Sequence, residues 1–202
     1  MRKVKILIYS ILVLASCSSR LRSGDLVFQV NPSNGFVDAI TDVTSSGTGL
    51  AFSHVGIIYI ARGEKPSVIE ATPEDGVRLK PLDEFLSESA EGPDGKPLVV
   101  FRRPRVPKAV AKAACKRALS HLGKEYDSFF EPGTERLYCS ELVQDAFGED
   151  LFPSIPMTFK DSTGNISPLW TDWFARHEKN VPEGAPGTNP NDMFKAECLR
   201  PL

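Results

Sequence analysis

The sequence predicts an α+β fold in which an antiparallel β-sheet packs against helices. Segments with strand patterns are concentrated in the first half of the chain, and two long helical patterns follow in the second half. Hydrophobic residues make up 41% of the 202 residues and charged residues 25%, which is enough apolar mass for a hydrophobic core. Because no internal repeat interrupts this organisation, we expect a single domain over residues 24–202.

The strands are predicted from segments that are rich in β-branched and aromatic residues. These segments are residues 25–30, 53–60, 67–71, 76–80 and 98–102. Turn-forming residues stand between several of them, so we expect an antiparallel sheet.

The first long helix is predicted over residues 108–121, with Gly123 as its stop signal. Apolar residues recur there at steps of four and predict one buried face. These residues are Val110, Ala114, Ala118 and Leu122.

The second long helix is predicted over residues 138–148. Its predicted buried face consists of Leu142, Val143, Ala146 and Phe147. Shorter helical segments are predicted at residues 35–42, 81–87 and 168–179, and a loop rich in proline and glycine at residues 181–190.

The N-terminus has the three-part plan of an export signal. A basic start is followed by an apolar run that is shorter than the roughly 20 residues needed to span a bilayer. The ending Leu14-Ala15-Ser16-Cys17 resembles a bacterial lipobox. We therefore expect a lipoprotein signal over residues 1–16, an acylated Cys17 and a tether over residues 17–23, which would anchor the protein outside the cytoplasm in the bacterial cell envelope. An ordinary signal peptide, with Cys17 incidental, is the alternative.

The charge balance gives no sign of a nucleic-acid partner. The chain has a net charge of −2, and it has 21 basic against 26 acidic residues once the three bases of the signal are removed. The sequence shows no basic stripe, so we set nucleic-acid binding aside. The three histidines are dispersed and no HExxH or CxxC motif occurs, so no metal or other cofactor is expected.

The remaining cysteines are Cys115, Cys139 and Cys198, an odd number that leaves at least one unpaired thiol within the chain. Cys115 lies in the apolar stripe of a predicted helix, where a small core residue is the favoured interpretation. A Cys115–Cys198 disulfide stays open.

Cys139 stands at the predicted start of the second long helix. Unpaired N–H groups and the helix dipole favour a thiolate there and can hold a developing oxyanion. His54 opens a predicted strand, whereas His121 and His177 lie in helix-end and charged contexts. Glu70 ends the next strand, and neighbouring antiparallel strands bring two such side chains within reach. These residues therefore suggest a Cys-His-Glu triad, with a buried helix thiol and an edge-strand carboxylate as the structural alternatives.

Four short motifs resemble one known family. They are GDLVF at residues 24–28, SHVGI at 53–57, VIEA at 68–71 and YCSELV at 138–143. In this order they resemble the circularly permuted YiiX/YebB-like branch of the NlpC-type cysteine hydrolases, over about residues 24–192. The resemblance implies a papain-like fold with a sheet or barrel core, in which the histidine precedes the cysteine.

The same resemblance implies roles for individual residues. Cys139 would be the nucleophile, His54 the base and Glu70 the acid that orients the base. Tyr138 would help to shape the site, with an aromatic packing residue as the alternative, and Ser140 is a further candidate for contact with substrate or oxyanion.

The implied function is hydrolysis of an amide bond by an extracytoplasmic enzyme. The expected substrate is a peptide of cell-wall peptidoglycan or another N-acyl amide, and the expected membrane contact is the anchor at Cys17. Two alternatives stay open: an acyltransferase or esterase similar to lecithin–retinol acyltransferase, and a non-catalytic binding lipoprotein. The presence of cysteine, histidine and glutamate together argues against the second alternative.

Overall fold

The computed structural model describes residues 21–44, 49–133 and 135–202. The predicted signal at residues 1–16 and the acylated Cys17 lie outside the described residues. Within the described ranges, no helix is both long and apolar enough to cross a bilayer.

A six-stranded antiparallel sheet is the centre of the fold. Its strands, numbered along the chain, are β1 (Leu26–Gln29), β2 (His54–Tyr59), β3 (Ser67–Thr72), β4 (Gly76–Pro81), β5 (Val99–Pro104) and β8 (Leu199–Pro201). They lie in the order β4-β3-β2-β1-β5-β8. In the part of the chain that the structure describes, β4 and β8 are the two edges, so the sheet is open and not a closed barrel. All five predicted strands are present, and the C-terminal strand β8 was not predicted.

The helices follow the sequence prediction with one addition. They are α1 (Gly35–Thr44), α2 (Leu82–Ser87), α3 (Lys108–Leu119), α4 (Cys139–Phe147), α5 (Pro168–Arg176) and α6 (Pro190–Lys195). Two very short strands, β6 (Ile155–Pro156) and β7 (Pro186–Gly187), form a second sheet. Helix α6 and strand β7 overlap the segment that was predicted as a loop.

Helices α3 and α4 pack on one face of the sheet and form the main core with it. Burial of apolar side chains on this face is the dominant stabilising contribution to such a layered fold. A smaller cluster on Val27, Ile58 and Val68 packs against Phe85 of α2. A third cluster joins α1 and α5 through Ala39 and the aromatic residues of α5.

The buried face of α3 differs at both ends from the predicted one. Ala114 and Ala118 are buried as expected, but Val110 is 42% exposed and Leu122 is 46% exposed. Leu122 lies beyond the end of α3 at Leu119, so the helix is shorter than predicted, and Val110 lies in its exposed first turn. Cys115 lies between Ala114 and Ala118 in the chain and is 2% exposed. This burial confirms its assignment as a core residue.

Candidate active site

His54 is the first residue of β2, and Glu70 lies on the neighbouring strand β3. The His54 Nε2 and Glu70 Oε2 atoms are 2.7 Å apart, and the two residues are only 6% and 2% exposed. Gly56 follows two residues after His54, where a Cβ atom would collide with the Val68 side chain. This glycine lets β3 approach β2, and the structure brings the histidine and the glutamate together.

Arg78 on β4 extends the pair into a line of charged side chains across three strands. It stands opposite Glu70 in the β3–β4 register, and its Nε donates to Glu70 Oε1 over 2.9 Å. A second contact joins Arg78 to Asp75 in the turn between the strands. Both oxygens of Glu70 are therefore occupied, one by His54 and one by Arg78. This satisfies a buried carboxylate that would otherwise be costly and fixes its orientation.

Cys139 is the first residue of α4 and follows the extended residue Tyr138, which has φ −89° and ψ 171°. The Glu141 carboxylate accepts a hydrogen bond from the Tyr138 N–H over 3.4 Å and so closes the helix start. The N–H groups of Cys139 and Ser140 have no hydrogen-bond partner among the described residues. Such groups are free in the first turn of any helix and can bind an anion.

The imidazole of His54 lies between Cys139 and Glu70 and interacts with both. Its Nε2 faces Glu70, so Nδ1 is the ring nitrogen that remains for an interaction with Cys139. Burial alone lowers the pKa of His54, but hydrogen bonds and charges of Cys139 and Glu70 outweigh it and raise that pKa to about 10. His54 is thus an imidazolium at neutral pH, and an imidazolium beside a cysteine favours the nucleophilic thiolate.

Glu70 stays a carboxylate for the converse reason. Burial opposes its ionisation, but the hydrogen bond and charge of His54, followed by those of Arg78, hold the Glu70 pKa below its usual range. A carboxylate in this place stabilises the imidazolium and fixes the orientation of its ring.

Tyr138 and Ser140 flank Cys139, and both bind Thr188, which precedes α6. The Tyr138 hydroxyl accepts a hydrogen bond from the Thr188 N–H over 3.0 Å, and the Thr188 hydroxyl donates to Ser140 Oγ over 3.0 Å. Burial raises the pKa of Tyr138 to about 12, against the contacts with Thr188 that lower it. Both side chains therefore attach the segment before α6 to the start of α4. Because the Ser140 hydroxyl is used in this way, the group of Ser140 that can bind an oxyanion is its backbone N–H.

Two adjoining cavities give access to the site. A wide cleft of about 570 Å³ is lined by His54, Glu70 and Arg78. A small cavity of about 100 Å³ adjoins Cys139, and most of its lining is apolar. The apolar lining includes Ile40, Val43, Phe130, Ile155, Met157, Phe159 and Trp170. Cys139 is thus reached from a small apolar cavity, and His54 from a wide cleft that charged, polar and apolar side chains line together.

Tyr126 lines both cavities. Burial, followed by the charge of Cys139, raises the pKa of Tyr126 well above its usual value. Its hydroxyl therefore remains protonated and is a hydrogen-bond donor next to the cysteine.

The other histidines and cysteines lie away from this group. His121 Nε2 is 2.6 Å from Asp145 Oδ2 at the surface, and His177 Nδ1 bonds the carbonyl oxygen of Trp173. Cys115 and Cys198 are both free thiols, so the disulfide that stayed open from the sequence is not formed.

Arg78 and Tyr126 were not identified from the sequence. A signal for Arg78 was present, because a tight turn between the segments SVIEA and GVRLK places an arginine opposite Glu70. Gly76, with φ 65°, takes the left-handed conformation that closes this turn. No comparable signal exists for Tyr126, since it lies in an irregular segment without periodicity.

Comparison with known proteins gives relatives over nearly the whole chain. Residues 20–202 match the profile of the family described as permuted papain-like amidase enzyme, YaeF/YiiX, C92 family. The uncharacterised protein YiiX of Escherichia coli strain K12 is 27% identical over 200 residues, which are 98% of this chain and 94% of that protein. A crystal structure of yiiX from Escherichia coli O157:H7 is 28% identical, covers 90% of this chain and 96% of its own, and superposes with a TM-score of 0.70.

That crystal structure is described as one of a metalloprotein. In residues 21–44, 49–133 and 135–202 of this chain, no three His, Cys, Asp or Glu side chains are grouped so as to hold a metal ion.

The comparisons confirm the family resemblance that the four sequence motifs indicated, and with it the α+β fold and the enzyme class of cysteine amidases and peptidases. The match covers residues 20–202, which include every helix and strand described above. The chain belongs to the YaeF/YiiX family of permuted papain-like amidases.

Proposed function

We propose that the chain cleaves an amide bond through Cys139, His54 and Glu70. Cys139 is the nucleophile, His54 transfers protons, and Glu70 orients and stabilises the imidazolium. The observation that supports this most is the buried His54–Glu70 pair, 2.7 Å apart, which is hydrogen bonded to a cysteine at a helix start. Arg78 acts through Glu70 and is a positioning residue.

The first half of the reaction forms an acyl-enzyme. The Cys139 thiolate attacks the carbonyl carbon, and the negative charge moves to the carbonyl oxygen. The free N–H groups at the start of α4 stabilise this charge, with the protonated Tyr126 hydroxyl as a further donor. The His54 imidazolium then gives its proton to the leaving amine, and the C–N bond breaks to leave a thioester on Cys139.

The second half releases the acid. The now neutral His54 takes a proton from a water molecule, whose oxygen attacks the thioester carbonyl. The C–S bond breaks, Cys139 returns to the thiolate and His54 is again an imidazolium. The carboxylic acid that leaves gives its proton to solvent, so the enzyme is restored.

The proposed substrate is a peptide of the bacterial cell wall. The amidase family supports the bond type, and the cleft of about 570 Å³, lined by charged and polar side chains beside apolar ones, has room for a peptide. In this proposal acyl chains on Cys17, which lies outside the described residues, hold the enzyme in the cell envelope outside the cytoplasm.

One observation favours a second candidate substrate. The small cavity next to Cys139 is lined mainly by aliphatic and aromatic side chains, which suit an aliphatic acyl group better than a charged peptide. An N-acyl amide, or a lipid ester as in enzymes similar to lecithin–retinol acyltransferase, would place its acyl chain in this cavity.

A direct comparison of substrates tests the proposal. The full chain and its Cys139→Ala variant are incubated with purified muropeptides, with N-octanoyl amides and with lipid esters, and products are identified by mass spectrometry. Release from muropeptides by the unchanged chain alone supports the wall peptide, whereas release only from acylated compounds supports the second candidate. If no substrate is cleaved and no acyl adduct forms on Cys139, the proposed hydrolysis is wrong.

A further inference from the structure

A second cleft, of about 660 Å³, lies where the described part of the chain begins. Five exposed basic side chains line it, and none has an ion-pair partner within the described ranges. They are Arg22, Arg105, Lys108, Lys112 and Arg200. We call this surface the basic cleft.

The lining of the basic cleft contains one acidic residue, and that residue does not reduce the exposed charge. Asp25 is 1% exposed, and its carboxylate is held by Arg103, whose Nε is 2.6 Å from Asp25 Oδ1. The exposed rim is therefore uniformly positive, although the chain as a whole has a net charge of −2. Concentrated positive charge on a protein of negative net charge favours contact with an anionic partner.

The basic cleft is a product of the fold. Its charges come from Arg22, four residues before β1, from the start of α3 with the residues ahead of it, and from β8 near the C-terminus. Since β1 and β8 both pair with β5, the sheet brings these distant segments to one end. This explains why the sequence itself shows no basic stripe.

We propose that the basic cleft rests on an anionic phospholipid bilayer. The N-terminal end of the described chain supports a bilayer as the partner. Leu21 lines the basic cleft, and the proposed acylation site at Cys17 is only four residues away. Four residues span at most about 14 Å, so an anchor there keeps the cleft at the headgroups. Each lysine or arginine near an anionic membrane surface strengthens binding roughly fivefold.

This placement also sets the distance between the membrane and the active site. Ile60, just after the end of β2, lines the basic cleft, whereas His54 opens the same strand. Six residues of an extended strand cover about 20 Å. The strand therefore acts as a spacer between the bilayer and the catalytic group, which favours substrates in the wall over lipids within the bilayer.

Vesicle binding tests the proposal independently of hydrolysis. The full chain with Cys17→Ala, which removes any acyl anchor, is mixed with phosphatidylcholine vesicles that contain either no or 30% phosphatidylglycerol, and bound protein is measured by co-sedimentation. The same chain is tested with Lys108→Glu and Lys112→Glu. Lys96→Glu and Arg176→Glu form the matched control, because both residues are exposed and neither lines the basic cleft.

We expect the Lys108/Lys112 variant to bind phosphatidylglycerol vesicles at least about 25-fold more weakly, from roughly fivefold per residue. The control variant should stay within about twofold, and added salt should weaken binding of the unchanged chain. The predicted signal at residues 1–16 is present in all variants, so it cannot cause a difference in binding between them. Equal binding of the two variants, or equal binding to both vesicle types, would overturn the proposal. Charge-dependent binding to duplex DNA without binding to vesicles would also overturn it. Circular dichroism of each variant serves as the folding control.

Discussion

At the scale of residues, the site is a row of three alternating charges, Arg78, Glu70 and His54, with Cys139 next to His54. Arg78, Glu70 and His54 stabilise one another in their ionised forms, since the row is largely buried and few water molecules can screen it. His54 is therefore protonated at neutral pH, because its neighbours raise its pKa to about 10. In the proposed mechanism this proton is already on the imidazole when Cys139 attacks.

The first prediction concerns how much each site residue contributes to turnover. Cys139→Ala and His54→Ala should each lower turnover by at least about 10⁴-fold, because nucleophile and base act as one unit. Glu70→Gln should be milder, about 10- to 100-fold, since an amide can hold the ring but cannot offset its charge. Turnover on the substrate found above is the measurement.

His121→Ala and His177→Ala are the controls, because both histidines lie at the surface away from the site. They should leave turnover within about twofold. Loss of turnover in His177→Ala, together with tolerance of His54→Ala, would refute the proposed triad.

The second prediction concerns thiol reactivity. Burial raises the pKa of Cys115 to about 11 and also raises the pKa of Cys198. Iodoacetamide at pH 6.5 should therefore label Cys139 at least about tenfold faster than the other two thiols, as followed by peptide mass spectrometry. In His54→Ala the labelling of Cys139 should slow, because its ion-pair partner is gone; equal labelling of all three thiols would contradict the thiolate–imidazolium pair.

The third prediction concerns pH. Glu70 has a lowered pKa, first through His54 against the effect of burial and then through Arg78. Activity and stability that need its carboxylate are present above the unfolded value of about 4.5 and are lost as pH falls through the lower folded pKa. In Arg78→Gln that folded pKa rises, so the acidic limb of kcat/KM should move to higher pH.

Lys96→Gln is the matched control for this experiment, because Lys96 pairs with Asp94 in an exposed loop. It should leave the acidic limb in place. An unchanged limb in Arg78→Gln would mean that Arg78 has only a structural role.

Local chemistry explains how much of the site was predictable. His54 and Cys139 are the first residues of their elements and Glu70 lies inside β3, and the hydrophobic patterns of the sequence predict all three elements. Arg78 required the register of a hairpin, and Tyr126 required the path of an irregular segment. Register and loop path depend on packing that no local pattern contains.

At the scale of elements, the start of α4 and the segment before α6 behave as one unit. Tyr138 and Ser140 both bind Thr188, and a Cβ atom on Gly187 would meet the Tyr138 hydroxyl. Close approach at Gly187 and the two hydrogen bonds therefore hold the segment beside Cys139. This arrangement forms one wall of the apolar cavity.

The fourth prediction tests this unit. Tyr138→Phe leaves the buried Thr188 N–H without its acceptor, which should lower the free energy of unfolding by about 1–3 kcal/mol. Urea denaturation followed by circular dichroism is the measurement. Tyr59→Phe is the control, because the Tyr59 hydroxyl makes no hydrogen bond in the described part of the chain; an equal loss in both variants would contradict the assigned role.

Helices and strands that are long enough to repeat their pattern of apolar residues were predicted correctly, and the shortest elements were missed. The long helices and five strands carry several repeats of their pattern. Strands β6 and β7 have two residues each, and α6 begins at Pro190 within a segment rich in proline and glycine. Proline is well suited to the first turn of a helix, but in this context it was interpreted as part of a loop.

At the scale of the whole molecule, the proposal places the anchor that positions the enzyme in the cell at its N-terminus. The fifth prediction is that Cys17→Ala releases the protein from the membrane fraction or blocks processing of the signal, since acyl chains on this residue are the proposed anchor. Fractionation with mass spectrometry of the N-terminal peptide is the measurement. Unchanged fractionation with no acyl mass on Cys17 would contradict the anchor.

The two flanks of β5 have a consequence for ancestry. Because β1 and β8 lie on either side of that strand, the first and last segments of the fold are neighbours. A short linker from Leu202 to Arg22 would close the chain, and a cut in the exposed loop at Pro132 and Gly133 would reopen it with the cysteine helix leading and the histidine strand trailing. Every atom of the site would stay where it is, although the cysteine would then precede the histidine in the sequence. The spatial arrangement of the site residues is therefore a better guide to relationship among such enzymes than their order along the chain.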